Sequence, residues 1–231
     1  MIRYKCLVLD HDDTVVMSTK EVHYPAFLEM LVLLRPNIHI SQEEFIAYNF
    51  NIGFQKLCYD VLRLDEEEMK IEYDIWKKHT RNTIPKPFPG MKELLIKYKN
   101  QGGIIIVSSH SESFEIKRDY RENFGFEPDM IFGWDIEAEL RKPNPYCLDS
   151  IMHYYHLTNN DVLMVDDAKS GYLMCKERNV RFVGNCYYDS SPEIKLFLKK
   201  NADFTIESVA ELYPIIFKQQ TKEKQNEKIN Y

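Results

Sequence analysis

The 231-residue sequence has no apolar run long enough to span a bilayer and no charged-then-apolar leader at its start. It also has no excess of basic residues, because 30 Lys and Arg stand against 36 Asp and Glu, for a formal net charge of −6. No basic stripe is evident, and binding to a phosphate backbone needs a basic face. We therefore expect a soluble, cytoplasmic protein that binds neither membrane nor nucleic acid, as a monomer or weak homo-oligomer.

Cysteine is sparse and shows no pairing pattern. The 5 cysteines are odd in number, widely scattered and contain no C-x-x-C pair, so neither a disulfide framework nor a zinc site is expected. We expect Cys6 and Cys58 to be buried thiols. With 231 residues and 44% hydrophobic content, the chain can bury a substantial core, as one large domain or as a domain with an insert.

The most informative segment is an apolar run that is followed at once by Asp10, Asp12 and Asp13. Residues 4–9 are typical of a buried parallel strand, and ligands of open α/β sheets bind beyond the carboxyl ends of such strands. Asp10 and Asp12 project to the same side of an extended chain, and Asp13 to the other. Repulsion between carboxylates this close predicts a divalent cation, with magnesium as the first choice, or unequal protonation. For these acids alone, a solvated acidic turn is the alternative.

Three further polar groups follow in order, each at the end of a predicted strand or the start of a predicted helix. They are Ser108-Ser109-His110, Lys142 in a Lys-Pro pair, and Asp166-Asp167. Each group alone is a weak signal, because hydroxyls and acidic pairs commonly follow strands. Together, in this order, they are hard to assemble by chance.

The sequence changes character after Thr14. Residues 19–84 contain no strand-like run and show helical spacing of apolar residues, which predicts a four-helix insert. The predicted helices cover residues 24–34, a segment after a capping box at 41–44, residues 54–62, and a segment that starts near Asp65 and runs through Trp76. The aromatic residues of this insert are interpreted as core.

From residue 86 onward, predicted strands and helices alternate. The strands are 104–108, 130–133, 162–165, 181–183 and 203–205; the helices start after Pro89-Gly90, span 113–123, 145–155 and 171–178, and start again at Pro192. Repeated βα units predict an α/β fold with a parallel, doubly wound sheet. The tail from residue 218 is too polar to pack, and we expect it to extend into solvent.

The four motifs together resemble those of haloacid dehalogenase superfamily hydrolases: an Asp-x-Asp-x-Thr loop at 10–14, Ser108, Lys142 and the acidic pair at 166–167. The resemblance spans nearly the whole chain, and it is to the phosphoglycolate phosphatase and β-phosphoglucomutase group. It implies a Rossmann-like core at 1–16 and 86–217, an α-helical cap at 17–85 over the site, and a polar tail at 218–231.

The resemblance also implies residue roles. Asp10 corresponds to a nucleophile that forms an aspartyl-phosphate, Asp12 to its acid/base, and Ser108 and Lys142 to groups that neutralise the transferring phosphoryl. The implied Mg²⁺ ligands are Asp10, the backbone carbonyl of Asp12, and an acid of the last motif. Asp167 is favoured as that direct ligand. Asp166 would then act on the metal through water, or support the direct ligands without touching the metal, or only cap the strand. Backbone N–H groups of Ser109 and His110 are candidate phosphate contacts.

The resulting hypothesis is a magnesium-dependent phosphatase that hydrolyses a small-molecule phosphate monoester. An acid at Asp12 favours phosphoryl transfer over carbon–halogen cleavage. A sugar phosphomutase and a non-catalytic member that binds a phosphorylated metabolite are the alternatives. Asp13 stands where the family commonly has Gly, and we expect it to adopt unusual backbone angles and to contact Thr14 or solvent. The expected selectivity loop of the cap, 49–53, has no Arg or Lys.

Overall fold

The computed structural model of the chain describes residues 1–187 and 191–218. A polar tail is expected from residue 218 onward. Apart from Lys218, this tail lies outside the described residues. Within the described ranges, no helix is both long and apolar enough to cross a membrane.

The described residues form a six-stranded parallel sheet with the order β3-β2-β1-β4-β5-β6. The strands are β1 Cys6–Leu9, β2 Ile104–Ser108, β3 Met130–Phe132, β4 Val162–Asp166, β5 Arg181–Asn185 and β6 Phe204–Ile206. β1 lies in the middle, with Leu9 in register with Val107 of β2 and Val165 of β4. The strand order reverses between β1 and β4, which places the crevice for a ligand at their carboxyl ends.

A helical insertion separates β1 from β2. It contains α1 Tyr24–Leu34, α2 Gln42–Asn51, α3 Phe54–Lys56 and α4 Glu66–Asn82, with π-helical turns at Thr19–His23 and Leu57–Val61. α2 and α4 begin at capping boxes on Ser41 and Asp65, as predicted from the sequence. The predicted third helix is present, but its second half is a π-helix that buries Leu57 and Cys58.

Helices cover both faces of the sheet. They are α5 Met91–Lys99, α6 Ser113–Phe124, α7 Tyr146–Tyr154, α8 Lys169–Arg178, α9 Pro192–Asn201 and α10 Leu212–Ile216. Along β1, Leu7 and Leu9 belong to one apolar cluster, whereas Cys6 and Val8 belong to the cluster on the opposite face. This two-sided burial is why the strand is continuously apolar in sequence, and it confirms the α/β fold with a helical insertion. Cys6 and Cys58 are buried free thiols, as expected.

Three element bounds differ by two residues from those predicted, and several others differ by one residue. β1 begins at Cys6 rather than Tyr4, and β5 continues to Asn185, because residues 183–185 pair with β6. α8 begins at Lys169, two residues before the predicted start.

Candidate active site

The first motif continues directly from β1. The Asp10 N–H still donates to the Val165 carbonyl of β4 at 3.0 Å, and the chain then turns so that the His11 carbonyl accepts from Val15 at 2.9 Å. Asp13 has a left-handed backbone with φ of 54°, as expected for the residue at this turn. Its side chain differs from expectation.

The Asp13 side chain is directed to the insertion rather than to solvent, and among the described residues it makes no hydrogen bond to Thr14. It is buried, and its Oδ1 accepts a hydrogen bond from the Thr19 N–H at 3.0 Å. The carboxylate therefore ties the first motif to the π-helical turn where the insertion begins.

Thr14 is held from β5. Asn185 Nδ2 donates to Thr14 Oγ1 at 2.7 Å, and the Tyr187 hydroxyl donates to the Thr14 carbonyl. The first motif is thus fixed by hydrogen bonds from both the insertion and the end of a neighbouring strand.

Three acids from β1 and β4 lie together at the carboxyl edge of the sheet. One carboxylate oxygen from each of Asp10, Asp166 and Asp167 lies within 4.8 Å of the others. Lys142 inserts its ammonium between two of them, with Nζ 2.7 Å from both Asp10 Oδ1 and Asp166 Oδ2. The structure therefore brings together four of the residues that the sequence motifs single out.

The electrostatics of this cluster favour an added cation. Burial raises the pKa of Asp10 to about 7. The Lys142 ammonium opposes this shift, and the neighbouring Asp166 and Asp12 carboxylates add to it. Burial, followed by Asp10 and Asp166, also raises the pKa of Asp167 well above its usual range. Three carboxylates around one ammonium leave negative charge uncompensated, and a divalent cation with oxygen ligands would neutralise it.

Asp166 and Asp167 have different surroundings. Asp166 is fully buried, accepts from the Ala168 N–H at 2.7 Å as well as from Lys142, and packs so tightly on Gly171 that a Cβ there would lie 2.1 Å from Oδ2. Gly171 thus allows α8 to approach the acid. Asp167 is less buried, and its carboxylate makes no hydrogen bond to another described residue. The donor set fits a metal ion, with Asp10 and Asp167 as the freer carboxylates.

Asp12 lies apart from that cluster and accepts three hydrogen bonds. His23 Nε2 lies 2.8 Å from its Oδ1, and the hydroxyls of Ser111 and Ser109 donate to its Oδ2 at 2.7 and 3.1 Å. Although burial opposes it, the His23 imidazole, with His11 and Ser111, holds the pKa of Asp12 well below its usual range. A residue of the insertion therefore contacts the second acid of the first motif directly.

Ser108, Ser109 and His110 leave the end of β2 in three different environments. Ser108 is buried and bonds to the Cys147 thiol. The Ser109 N–H, a candidate phosphate contact, donates to the Phe132 carbonyl at 3.0 Å and so extends the β2–β3 pairing. His110 is exposed, with Nε2 3.3 Å from the Lys142 carbonyl.

Several residues of the site were missed from the sequence. Ser111 belongs to the polar run after β2, and this run was the one available signal for it. His23 and Trp76, 53 residues apart, meet only through the packing of the insertion, where the indole N–H donates to His23 Nδ1 at 3.1 Å. No local sequence pattern predicts such a contact.

Two of the contacts between the insertion and the core join α4 to the start of α6 and α2 to α9. The Lys77 ammonium pairs with Glu112 and, at 3.1 Å, with Glu115, while the Tyr73 hydroxyl donates to Glu112 at 2.6 Å. At the second contact, Phe50 packs edge-on against Phe197 of α9, with ring centroids 5.4 Å apart.

The expected loop at 49–53 is partly helical. Residues 49–51 end α2, and Gly53 makes the turn with φ of 84°. Lys169, at the start of α8, lies with Nζ 5.6 Å from the Phe197 ring centroid. The end of α2 and the start of α8 therefore contact the same ring of α9.

The described residues thus combine a parallel α/β sheet, a helical insertion after its first strand, and an acid–lysine cluster at the switch point. Residues 7–185 match the haloacid dehalogenase-like hydrolase family. The chain belongs to that family.

Individual relatives support the same assignment. The chain is 25% identical over 204 residues to a phosphoglycolate phosphatase of Vibrio vulnificus (strain YJ016), covering 86% of this chain and 85% of that protein. It is similar to the crystal structure of a predicted phosphoglycolate phosphatase from Haemophilus somnus 129pt, with a TM-score of 0.76, 18% identity and coverage of 93% and 99%. A mutant of CbbY from Rhodobacter sphaeroides, in complex with xylulose-(1,5)bisphosphate, gives a TM-score of 0.72, 19% identity and coverage of 92% and 96%. The likeness to these structures shows the fold.

Proposed function

We propose that the chain is a magnesium-dependent phosphatase that hydrolyses a small-molecule phosphate monoester through an aspartyl-phosphate on Asp10. The observation that carries the proposal is the position of Asp10, which is bonded to Lys142 and shares a metal-sized cluster with Asp166 and Asp167. A carboxylate fixed at the switch point of the sheet can attack phosphorus, and the ammonium beside it offsets negative charge on the transferring group.

We assign the remaining roles from the same geometry. Asp12, two residues along the strand direction, is the acid/base that protonates the leaving oxygen and then takes a proton from water. Ser108 and Lys142 bind the phosphoryl group, with His110 and the Ser109 hydroxyl as further polar groups at the end of β2. Asp10, the Asp12 carbonyl and Asp167 would hold Mg²⁺, and Asp166 would position Lys142 and reach the metal through water. When bound, the metal supplies positive charge that polarises the phosphoryl oxygens.

We place the helical cap at residues 17–85 and the core at 1–16 and 86–217. This division is supported by the Met17 N–H, which donates to the Lys86 carbonyl at 2.9 Å. The hydrogen bond joins the two segments through which the chain passes between the proposed core and the proposed cap. Closure of such a cap would exclude water from the acidic cluster. The substrate class is supported by the relatives, since one is a phosphoglycolate phosphatase and another was crystallised with a sugar bisphosphate.

The test is phosphate release from a panel of sugar phosphates, phospho-carboxylic acids and nucleotides, with Mg²⁺ and then with EDTA. We expect at least one metabolite to be hydrolysed only with Mg²⁺, and Asp10→Asn to lower that turnover by several orders of magnitude, because it removes the nucleophile. Asp10→Asn activity within tenfold of the unmodified protein would refute the role of Asp10. A positional isomer formed in place of inorganic phosphate would identify a phosphomutase instead.

A further inference from the structure

The hydrogen bonds around Asp12 continue into the cap. His23 Nε2 lies 2.8 Å from Asp12 Oδ1, and Trp76 Nε1 lies 3.1 Å from His23 Nδ1. The imidazole and indole planes are nearly parallel, at 12°, with ring centroids 6.4 Å apart. This Trp76–His23–Asp12 series joins α4, the π-helical turn at Thr19–His23 and the first motif.

Donor chemistry fixes the direction of each hydrogen bond in the series. An indole N–H donates and has no acceptor nitrogen. Nδ1 of His23 must therefore present its lone pair to Trp76, and the proton of the neutral ring resides on Nε2. That N–H points at Asp12, so His23 donates to the carboxylate.

The other Asp12 oxygen is also occupied by donors. Ser111 and Ser109 donate their hydroxyls to Oδ2 at 2.7 and 3.1 Å, and the Ser109 hydroxyl itself accepts from the Ser111 N–H at 3.1 Å. Asp12 thus accepts on both oxygens, with the core holding one and the cap holding the other. Its orientation therefore depends on a residue of the insertion as well as on residues of the core.

We propose that Trp76 is a positioning residue for the reaction: it fixes His23 as the neutral Nε2–H tautomer, and His23 orients Asp12 as a base while the cap is docked. The inference rests on the proposed phosphatase chemistry. In the hydrolytic step, a water oxygen bonds to phosphorus, the bond from phosphorus to Asp10 breaks, and the water proton passes to Asp12. Trp76 and His23 act through Asp12, so the cap contributes to this step beyond covering the site.

The tautomer is measured by NMR on the full chain with ¹⁵N-labelled histidine and Mg²⁺ present. The His23 signals are assigned by their loss in His23→Gln. We expect a proton on Nε2 and none on Nδ1. Trp76→Phe keeps an aromatic ring beside His23 but removes the donor that keeps Nδ1 unprotonated, so Nδ1 should take up a proton in that variant while Nε2 keeps the proton that it donates to Asp12. A proton on Nδ1 in the unmodified protein, or an unchanged His23 pattern in Trp76→Phe, would overturn the inference.

The matched control is Tyr73→Phe. It removes a hydroxyl that bonds Glu112 from the same helix at the same cap–core contact, without touching His23. This control should keep the His23 pattern of the unmodified protein. Because the NMR measurement requires no turnover, a protein that proved inactive on all phosphate esters would count against the proposed function and not against the tautomer.

The consequence for Asp12 is measured by kinetics on a hydrolysed alkyl phosphate. We expect Trp76→Phe to lower kcat about tenfold with KM within about twofold, because the variant misplaces a base and leaves substrate contacts intact. Breakdown of the phospho-enzyme should slow, while its formation from nitrophenyl phosphate should change by less than about threefold, since that leaving group hardly needs a proton. A raised KM with unchanged kcat, or equal slowing of both half-reactions, would show a merely structural role.

Discussion

At the scale of single residues, the two adjacent acids at the end of β4 have different surroundings. Asp166 is enclosed by Lys142, the Ala168 N–H and Gly171, whereas Asp167 faces the cluster without a hydrogen bond from another described residue. A metal ligand needs a free lone pair aimed at the ion, and a tether needs a fixed partner. The geometry therefore supports Asp167 as the ligand and Asp166 as the residue that positions Lys142.

The pair Asp167→Asn and Asp166→Asn tests this division. Asp167→Asn should raise the Mg²⁺ concentration needed for half-maximal activity strongly, because it removes a charged ligand. Asp166→Asn should raise it less, since the loss of a residue behind the ligands typically costs about 10–100-fold in affinity or activity. Activity measured against Mg²⁺ concentration gives both values. The reverse ranking of the two variants would transfer the ligand role to Asp166.

At the scale of elements, α4 buries an acid in the middle of the cap. Glu72 is 8% exposed, and burial raises its pKa from the ordinary value of 4.5 to about 7. The folded protein therefore binds this proton more tightly than the unfolded chain does. As pH rises from about 4.5 to 7, the unfolded chain loses the proton first, so the contribution of this group to stability falls over that window.

Glu72→Gln should therefore stabilise the protein at pH 8 and have little effect at pH 4.5. The gain at pH 8 is at most about 3 kcal/mol, which corresponds to the size of the pKa shift. Thermal or urea unfolding at the two pH values measures it. Glu67→Gln is the matched control, because its side chain is 80% exposed on the same helix and its effect should stay within about 0.5 kcal/mol at both pH values. Equal effects of Glu72→Gln at both pH values would contradict the burial argument.

Most elements could be predicted because each has a local signal. The continuous apolar run of β1 indicated two-sided burial, and Ser41 and Asp65 marked the starts of α2 and α4 through their capping boxes. The π-helical turn at Leu57–Val61 could not be predicted, because the same apolar spacing fits an α-helix. The hydrogen bond of the Ser109 N–H could not be predicted, because the last hydrogen bond of a strand depends on the neighbouring strand, here at Phe132.

The same limit applies to the site. Asp10, Lys142 and the acidic pair were accessible because parallel strands deliver their ends to one edge of a sheet. His23 and Trp76 lie in the cap, and their contact with Asp12 depends on how the cap docks. A contact between the cap and the core leaves no periodicity or motif in the sequence from which it could be predicted.

At the scale of the whole molecule, ion pairs as well as packing join the cap to the core. Lys77 of α4 lies between Glu112 and Glu115 at the start of α6, and the Glu115 side chain is only 5% exposed. Removing the cation would leave a buried carboxylate without its partner, which is costly. We therefore expect this contact to control the docking of α4 on the core.

Lys77→Ala should open the cap more often. Hydrogen exchange followed by mass spectrometry should show faster exchange at the start of α6 and in the second half of α4, while β1 and β4 stay protected. Lys70→Ala is the control, because Lys70 lies on the same helix in an exposed pair with Glu67. If both variants show the same exchange, the Lys77 contact does not hold the cap.

The central claim is that Asp10 becomes phosphorylated, and intact-protein mass spectrometry of Asp12→Ala tests it most directly. Asp12→Ala removes the base for the second step, so with nitrophenyl phosphate and Mg²⁺ the phospho-enzyme should accumulate. We predict a mass increase of one phosphoryl group that maps to Asp10 and is missing when Asp10→Asn is added. No covalent species in Asp12→Ala while the unmodified protein hydrolyses the ester, or a phosphoryl group on a residue other than Asp10, would contradict the account.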